Sequence, residues 1–248
     1  MPSANQESSI VTPGISSACG MPKDIVNGGD ISPYYEWFRK DVIAAVPPTA
    51  KCVLSVGCAA GLTEAELVKR GIKVVGIELN PEAAAIARQR GLIILEGDVS
   101  EIDISAGSDY YDCLIYADIL EHLPDPVAVL KRHIKYLKTN GIVYVSIPNF
   151  RHYSVFWELF VRGHVRYKDA GVLDRTHLRI TTRKMVLEWF QQTDLELLRF
   201  HYSIPGRRNR LISACLFGLT REFIATQIGL VGQKADDCPL SSQQICKH

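Results

Sequence analysis

The chain has 248 residues, of which 47% are hydrophobic and 22% are charged, and its formal net charge is +1. These values are typical of one globular α/β domain, and the near-neutral charge argues against a nucleic-acid partner. No apolar run approaches the roughly 18 residues of a membrane helix, the start of the chain lacks the features of a secretory signal, and the cysteines show no C-x-x-C spacing. We therefore expect a cytoplasmic protein without a transmembrane segment, a disulfide framework or a zinc ribbon.

Composition divides the chain into three segments. Residues 1–30 are rich in Ser, Gly, Pro and Asn and are predicted to be a disordered leader, residues 31–234 to form the folded domain, and residues 235–248 to be a flexible tail. Near the start of the domain, residues 34–46 are predicted to form an amphipathic helix. This helix either packs on the domain or closes over a ligand with side chains such as Arg39.

A glycine-rich loop follows the first predicted strand of the domain. The strand covers residues 53–56, and the loop after it contains Gly57 and Gly61, which let the chain turn tightly beneath a ligand. Glu78 ends the next predicted strand, residues 73–78, about 20 residues beyond the first glycine, where a carboxylate suits a ribose diol. The pattern predicts a nucleoside-binding βαβ unit.

The loop also discriminates between nucleoside cofactors. A dinucleotide fingerprint, G-x-G-x-x-G, leaves room for a pyrophosphate, whereas this chain has Ala59 and Leu62 at the second and third glycine positions. Crowding at those positions disfavours a pyrophosphate more than a methionine tail. The loop therefore favours S-adenosylmethionine, and a nucleotide-dependent oxidoreductase is a distant alternative.

Strands continue to alternate with helices along the chain. Further strands are predicted at residues 92–95 and 111–116 and in the segment that ends at Ile147, which indicates a mainly parallel sheet with helices on both faces. Asp98, after the third strand, can accept a hydrogen bond from an adenine amine. The alternative is that Glu78 and Asp98 are merely solvated acids at strand ends.

The chain resembles the class I S-adenosylmethionine-dependent methyltransferases, which implies a doubly wound, Rossmann-like α/β fold. The motifs that carry the resemblance are residues 53–61, 77–80, 97–98 and 117–124. The resemblance implies that Gly57, Cys58, Ala59 and Gly61 line the methionine moiety, that Glu78 holds the ribose and that Asp98 meets the adenine. The same cofactor site is expected to include Leu79, Val99 and Ala117.

A narrower resemblance concerns residues 146–152 and 169–179. These segments are similar to a bacterial group of methyltransferases found with glycosyltransferases in surface-polysaccharide clusters. This likeness predicts O-methylation of a sugar or glycan intermediate in polysaccharide biosynthesis.

Two residues depart from the family pattern. Ser55 stands where the family usually has an acid, and Ala59 stands where it has a glycine, so one charge and some clearance near the methionyl ammonium are lost. We expect cofactor binding to persist, because serine still forms hydrogen bonds and alanine adds only a methyl group. The alternative is a non-catalytic, methyltransferase-like module that supports a partner enzyme.

A basic, aromatic cap is predicted after the fifth strand, at about residues 150–180. Residues 151–184 contain eight Lys or Arg against three acids, a formal charge of +5, with aromatic residues between them. A positive field favours an anionic acceptor, such as a phosphorylated sugar or a lipid-linked glycan, with Arg151, Tyr167 and Arg175 as candidate contacts. The alternative is that Phe156 and its aromatic neighbours form the core side of a cap helix.

Three histidines are candidates for the base that a hydroxyl acceptor needs. His177 is preferred, followed by His122 and His152, and the alternative for His177 is a structural role through Asp174. Asp118, Glu121, His122 and His177 also form a possible set of ligands for Mg²⁺ or Mn²⁺. The D-x-x-E-H arrangement resembles the E-x-x-E-H metal site of ubiquinone-pathway and small-RNA O-methyltransferases, although a metal-free site is the preferred reading.

The C-terminal part of the domain completes the sheet. A helix is predicted at residues 181–190 and strands at residues 195–202 and 223–232, which gives about seven strands. Between these strands, three arginines precede the apolar residues 211–219, which are predicted to be a buried helix or, alternatively, a contact with an anionic membrane. The sequence does not determine the acceptor, the position methylated or the oligomeric state.

Overall fold

The computed structural model describes residues 26–27, 30–31, 38–206, 209–210 and 220–235. A two-stranded antiparallel pair, Val26–Asn27 (β1) and Asp30–Ile31 (β2), lies at the boundary of the predicted leader. The main sheet has seven strands, which are Cys52–Val56 (β3), Lys73–Glu78 (β4), Ile93–Glu96 (β5), Tyr111–Ala117 (β6), Leu137–Pro148 (β7), Leu195–Ser203 (β8) and Gln227–Lys234 (β9).

The strand order in the main sheet is β5-β4-β3-β6-β7-β9-β8. Strands β3 to β7 run parallel to one another, and β9 is antiparallel to both of its neighbours, β7 and β8. Every residue of the central strand β3 is buried, as expected of a parallel strand covered on both faces. The predicted seven-stranded, mainly parallel sheet is confirmed.

Helices cover both faces of this sheet. They are Lys40–Ala45 (α1), Leu62–Lys69 (α2), Pro81–Gln89 (α3), Pro126–Ile134 (α4), Tyr153–Phe156 (α5), Arg183–Gln191 (α6) and Arg221–Ile224 (α7). One buried cluster joins α1, α2 and α3 to one face of the sheet, and the other joins α4 and α6 to the opposite face. Side chains alternate between the two clusters, as Val53 and Leu54 do in β3, because successive residues of a strand point to opposite faces.

Local signals set the ends of the helices. The Asn80 side chain accepts hydrogen bonds from the N–H groups of Glu82 and Ala83, and Pro81 occupies the first helical position of α3. The Asp125 side chain caps α4 in the same way. These caps hold the loops that follow β4 and β6, so the carboxyl ends of both strands are held in place.

One predicted element is wrong in its bounds. The strand expected at residues 223–232 begins only at Gln227, because Phe223 belongs to the short helix α7. The Asn149 side-chain amide donates to the carbonyl oxygens of Glu222 (2.6 Å) and Ala225 (2.8 Å) and holds the chain in a turn there.

Some predicted elements lie partly outside the described residues. Of the helix predicted at residues 34–46, the described part is α1, and residues 32–37 are not described. The apolar residues 211–219 are also outside the described part of the chain. Within that part, no helix is long and apolar enough to cross a membrane.

Candidate functional site

The strand order reverses between β3 and β6, and the loops beyond their carboxyl ends meet at this point. In open α/β sheets such a crevice is where ligands bind. Gly57 and Gly61 both have positive φ angles, 67° and 70°. A Cβ at Gly57 would lie 2.9 Å from Ile119 Cδ1, so only glycine fits between the loop and the segment that follows β6.

Glu78 fastens the glycine-rich loop to the end of β4. One carboxylate oxygen accepts the Ala59 N–H at 2.8 Å, and the other accepts the Asn80 N–H at 2.9 Å. The side chain is 97% buried, and burial raises its pKa although backbone N–H groups oppose the shift. Each carboxylate oxygen keeps a second lone pair, so the residue fits a ribose diol while it holds the loop.

Ala59 occupies a backbone conformation that glycine usually adopts. Its φ angle is 50°, in the left-handed region. The departure from the family pattern is therefore a change of side chain and not of backbone, because the loop keeps the shape that a glycine would give it.

Ser55 is next to a carboxylate that the sequence analysis missed. Its hydroxyl donates to Glu64 Oε1 at 2.7 Å, and both side chains are buried. Burial raises the pKa of Glu64, which lies in the first turn of α2. A carboxylate from α2 thus lies beside position 55, and the sequence signal for it was an acid next to Thr63 in the first turn of that helix.

Cys58 does not present its thiol to the crevice. The side chain is 94% buried in the core, and a Cβ added at Gly76 would lie 2.6 Å from its sulfur atom. Burial raises the pKa of the Cys58 thiol well above its usual range. Only the backbone of Cys58 is placed to line a ligand.

The expected adenine side of the crevice is formed after β5. Asp98 Oδ1 accepts the Ser100 N–H at 2.7 Å, and the Arg132 guanidinium donates to the carbonyl oxygens of Val99 and Ser100. Val99 is buried, whereas Leu79 is 39% exposed at the end of β4. The loop therefore combines one acid with apolar neighbours, as an adenine pocket requires.

Asp118 belongs to a polar network at the end of β6, beside Ala117. Its carboxylate accepts hydrogen bonds from Arg39, from the Ser146 hydroxyl at 3.0 Å and from the Gln227 amide at 2.9 Å. The Arg39 backbone N–H also donates to Thr63 Oγ1, so this arginine connects the start of α1 to the first turn of α2, directly after the glycine loop. The structure does not bring Asp118 into the cluster formed by the other candidate metal ligands.

Glu121, His122 and His177 do form a cluster. One potential ligand atom from each lies within 4.8 Å of the other two. The imidazole rings are 4.9 Å apart, and His177 Nε2 lies 4.0 Å from Glu121 Oε1. Neither oxygen of the Glu121 carboxylate has a hydrogen-bond partner, although the side chain is 99% buried. Burial, with Asp118 nearby, raises the pKa of Glu121 well above its usual range.

Backbone carbonyl groups fix the orientation of both imidazoles. His122 Nδ1 donates to the Thr176 carbonyl at 3.1 Å, and His177 Nδ1 donates to the Val172 carbonyl at 3.3 Å. In both rings Nε2 is then the unprotonated nitrogen. Burial lowers the pKa of both histidines, and His177 lowers that of His122 further. The cluster thus contains lone pairs from two imidazoles and one carboxylate, a set that fits a divalent cation.

The third candidate base, His152, is occupied by structural contacts. Its Nδ1 accepts the Ser154 N–H at 3.3 Å and contacts the Ser154 hydroxyl at 2.7 Å, so the ring caps α5. Its Nδ1 is therefore committed to the helix cap and is not available to an acceptor.

The candidate acceptor contacts are dispersed over the cap. Arg151 pairs with Glu222 at 2.7 Å and stacks on Phe223, and Arg175 pairs with Asp169 at 2.7 Å. Tyr167 is 66% exposed. The structure joins the segments of Tyr167 and Arg175, because the Lys168 carbonyl accepts the Arg175 N–H at 3.0 Å, whereas Arg151 pairs with α7. The alternative reading of the aromatic cap residues as core is wrong, because Phe156 is 59% exposed and Phe160 is 71% exposed.

Comparison with known families decides the classification. The model of the methyltransferase domain family matches residues 35–199. The chain belongs to this family. The predicted membership in the methyltransferases is thereby confirmed, and the crevice at the carboxyl ends of β3 to β6 is where we expect the S-adenosylmethionine cofactor.

The chain is similar to several ubiquinone biosynthesis O-methyltransferases. It is 29% identical to the protein of Cereibacter sphaeroides over 45% of this chain and 47% of the relative, and 33% identical to that of Nitrosomonas europaea over 40% and 44%. The protein of Histophilus somni is 26% identical over 63% of this chain and 70% of the relative. The chain thus spans about half the length of the first two of these relatives.

Solved structures support the fold. The chain superposes on a SAM-dependent methyltransferase from Archaeoglobus fulgidus with a TM-score of 0.59 and 16% identity, covering 78% of this chain and 90% of the other. A methyltransferase from Methanosarcina mazei gives the same TM-score at 15% identity, covering 80% and 99%. At these identities the likeness establishes the fold and leaves the acceptor open.

Proposed function

We propose that the protein transfers the methyl group of S-adenosylmethionine to a hydroxyl oxygen, and that Glu121, His122 and His177 receive that hydroxyl. The observation that carries the proposal is the buried Glu121 carboxylate, which has no hydrogen-bond partner and faces two oriented imidazoles. Glu121 and His122 lie shortly after β6, whose last residue, Ala117, is at the edge of the expected cofactor site, and His177 reaches them from the cap. The names of the similar O-methyltransferases support transfer to oxygen.

Methyl transfer from a sulfonium is an in-line displacement, so alignment of the acceptor provides much of the rate. The cofactor supplies an activated methyl group when bound. Glu78, which fastens the loop, would hold the ribose, and the Glu64 carboxylate is held near the loop by its bond to Ser55 at the end of β3. A hydroxyl acceptor must also lose its proton, and the Nε2 atom of His177 or His122 is unprotonated and able to accept it.

The same three residues fit a divalent cation. Burying a carboxylate that faces only the lone pairs of other groups costs free energy, and a bound cation would offset that cost. Bound there, a cation lowers the pKa of an acceptor hydroxyl. Two of the three ligands are imidazoles, and Asp118 is engaged elsewhere, so the set favours Mn²⁺ over Mg²⁺, which prefers oxygen ligands.

Two acceptor classes remain as candidates. The basic residues of the cap, with a formal charge of +5 over residues 151–184, support an anionic sugar or glycan intermediate. The similarity to ubiquinone biosynthesis O-methyltransferases supports an acceptor from that pathway instead. Parallel assays with both classes, measuring methyl transfer from radiolabelled cofactor, discriminate between them.

The test uses Glu121→Gln and His177→Asn with calorimetry and a methyl-transfer assay. We expect both variants to bind S-adenosylmethionine as the parent does, to lose Mn²⁺ binding and to lose at least 100-fold in turnover, a typical effect of removing acid–base assistance. Glu196→Gln, at an exposed carboxyl of β8, is the matched control and should change neither.

Three results would contradict the proposal. Turnover unchanged in both variants would show that the cluster does not receive the hydroxyl. Mn²⁺ binding unchanged in both would remove the cation site and leave the histidines as metal-free bases. A folded parent protein that does not bind S-adenosylmethionine would favour the non-catalytic module.

A further inference from the structure

The cap exposes one aromatic face to solvent. The helix α5 continues as a π-helical turn, Trp157–Val161, and its aromatic residues recur at spacings of three and four. Exposure is 58% for Tyr153, 59% for Phe156, 52% for Trp157 and 71% for Phe160. The rings of Phe156 and Phe160 stack with centroids 4.9 Å apart. A contiguous aromatic surface of this kind marks an interaction site.

None of the residues of this helix is buried, so its apolar side chains are left exposed, unlike those of an ordinary helix on a domain surface. Its acid, Glu158, has a side chain that is only 15% exposed, and it pairs with Arg162 at 2.9 Å and with Arg166 at 3.7 Å. An ordinary surface helix buries its apolar face and exposes its charges. Here the acid is turned inward and neutralised, so the outer face is aromatic and carries no negative charge from Glu158.

The segment that follows the cap helix also exposes apolar and basic residues. Leu178 and Ile180 directly follow the candidate centre at His177 and are 63% and 67% exposed. The Arg179 guanidinium donates to the carbonyl oxygens of Leu123 and Pro124 and therefore keeps its charge. Arg183 stacks on an aromatic ring, 4.7 Å from its centroid, and likewise keeps its charge. The cap thus combines exposed aromatic residues with two cations, Arg179 and Arg183, for which the described part of the chain shows no acidic partner.

We infer that this face of the cap docks on an anionic lipid bilayer, and that the acceptor is a hydroxyl-bearing lipid of that bilayer. Aromatic side chains that insert at the lipid interface, with cations around them, are the features of peripheral membrane binding. The charge of the cap is complementary to anionic headgroups, whereas a second copy of the same cap would bring like charges together. The statement about the acceptor rests on the proposed function, in which His177 receives the hydroxyl, and the exposed residues Leu178 and Ile180 directly follow His177 in the chain.

The test is flotation of the full chain with vesicles of phosphatidylcholine alone or mixed equally with phosphatidylglycerol. The variant is Phe156→Ser/Trp157→Ser/Phe160→Ser. The control is Ile93→Ser/Leu198→Ser, which changes two exposed apolar residues, each 49% exposed, on β5 and β8. We expect the parent and the control to bind the mixed vesicles at least tenfold more tightly than neutral ones, and the variant to lose that binding.

Charge and fold are tested separately. Lys184→Glu, at an exposed position of α6, should weaken binding to mixed vesicles at least about fivefold, since each basic residue near an anionic surface contributes about that factor. Calorimetry with S-adenosylmethionine should give the same affinity for the parent and the triple variant, because the substituted side chains are exposed.

Two outcomes would overturn the inference. In one, the parent and the triple variant bind the mixed vesicles with equal affinity, or neither of them binds. The other is a parent that is dimeric by light scattering and becomes monomeric in the triple variant, which would assign the face to a second copy of the chain. Flotation does not depend on turnover, so these failures are distinguishable from failure of the methyl-transfer proposal.

Discussion

The substitution Ala59→Gly tests whether the cofactor loop stores backbone strain. Ala59 has a φ of 50°, and the left-handed region costs a non-glycine residue about 1–2 kcal/mol. Glycine removes that cost but loses about 0.5–1 kcal/mol of chain entropy on folding. The bond from its N–H to Glu78 involves only the backbone and is kept. We therefore expect the variant to be more stable by about 0.5–1 kcal/mol.

The adjacent alanine provides a matched control. Ala60 is fully buried, packs against Ala83 and has no positive φ angle. Ala60→Gly removes a buried methyl group, worth about 0.8 kcal/mol, and adds the entropy cost of glycine, so it should destabilise by about 1.5 kcal/mol. The same substitution at neighbouring positions is thus predicted to have opposite signs.

Urea and thermal unfolding measure both variants without cofactor. For a domain of this size, 1 kcal/mol corresponds to a shift of about 2–4 °C in Tm. Calorimetry with S-adenosylmethionine should show equal or tighter binding for Ala59→Gly, because the extra methyl group is gone. If Ala59→Gly destabilises the protein as much as Ala60→Gly does, the loop holds no strain at this position and the reasoning is refuted.

Three further predictions concern buried polar groups. In Glu78→Gln, the side-chain NH₂ group faces a backbone N–H, so two donors meet where the carboxylate accepted a hydrogen bond. S-adenosylmethionine should then bind at least tenfold more weakly by calorimetry. An unchanged affinity would show that Glu78 is not part of the cofactor site. Ser55→Ala leaves the buried Glu64 carboxyl without its 2.7 Å donor and should lower the free energy of unfolding by about 1–3 kcal/mol in urea, whereas a neutral result would make the pair incidental. Burial lowers the pKa of His133 from 6.5 to about 4, and its Nδ1 accepts from the Tyr116 hydroxyl. As pH falls, His133 is therefore protonated in the unfolded chain before it is protonated in the folded one, which destabilises the fold. Between pH 7.5 and 5, the free energy of unfolding of the parent should fall by about 2 kcal/mol more than that of His133→Asn. Equal decreases in the two proteins would contradict this prediction.

Sequence patterns predicted the elements of the cofactor site well. Strand β4 has the predicted bounds, and β3, β5 and β6 differ from the predicted bounds by only one or two residues. This agreement has a local cause, because short apolar runs bounded by glycine, proline or asparagine encode buried strands directly. The positions of Glu78 and Asp98 at adjacent strand ends follow from the parallel order of those strands.

The partners of individual side chains were not predictable in the same way. Asp118 and Glu121 are one helical turn apart in sequence and both resemble metal ligands, yet Asp118 binds Arg39 while Glu121 faces His177. This difference depends on the left-handed φ of 55° at Asp118 and on the path of the cap. Neither is visible in the spacing of acids and histidines.

The sequence alone determined the class of fold, the glycine loop and the acids at the strand ends, since each depends on residues close together in the chain. Tertiary structure alone decided that Glu64 accompanies Ser55, that His177 returns to Glu121 and that the aromatic residues of the cap face outward. These outcomes depend on how distant elements pack, because packing determines which buried polar group meets a partner and which apolar face remains uncovered. An amphipathic pattern specifies two faces of a helix but not which of them the rest of the protein covers.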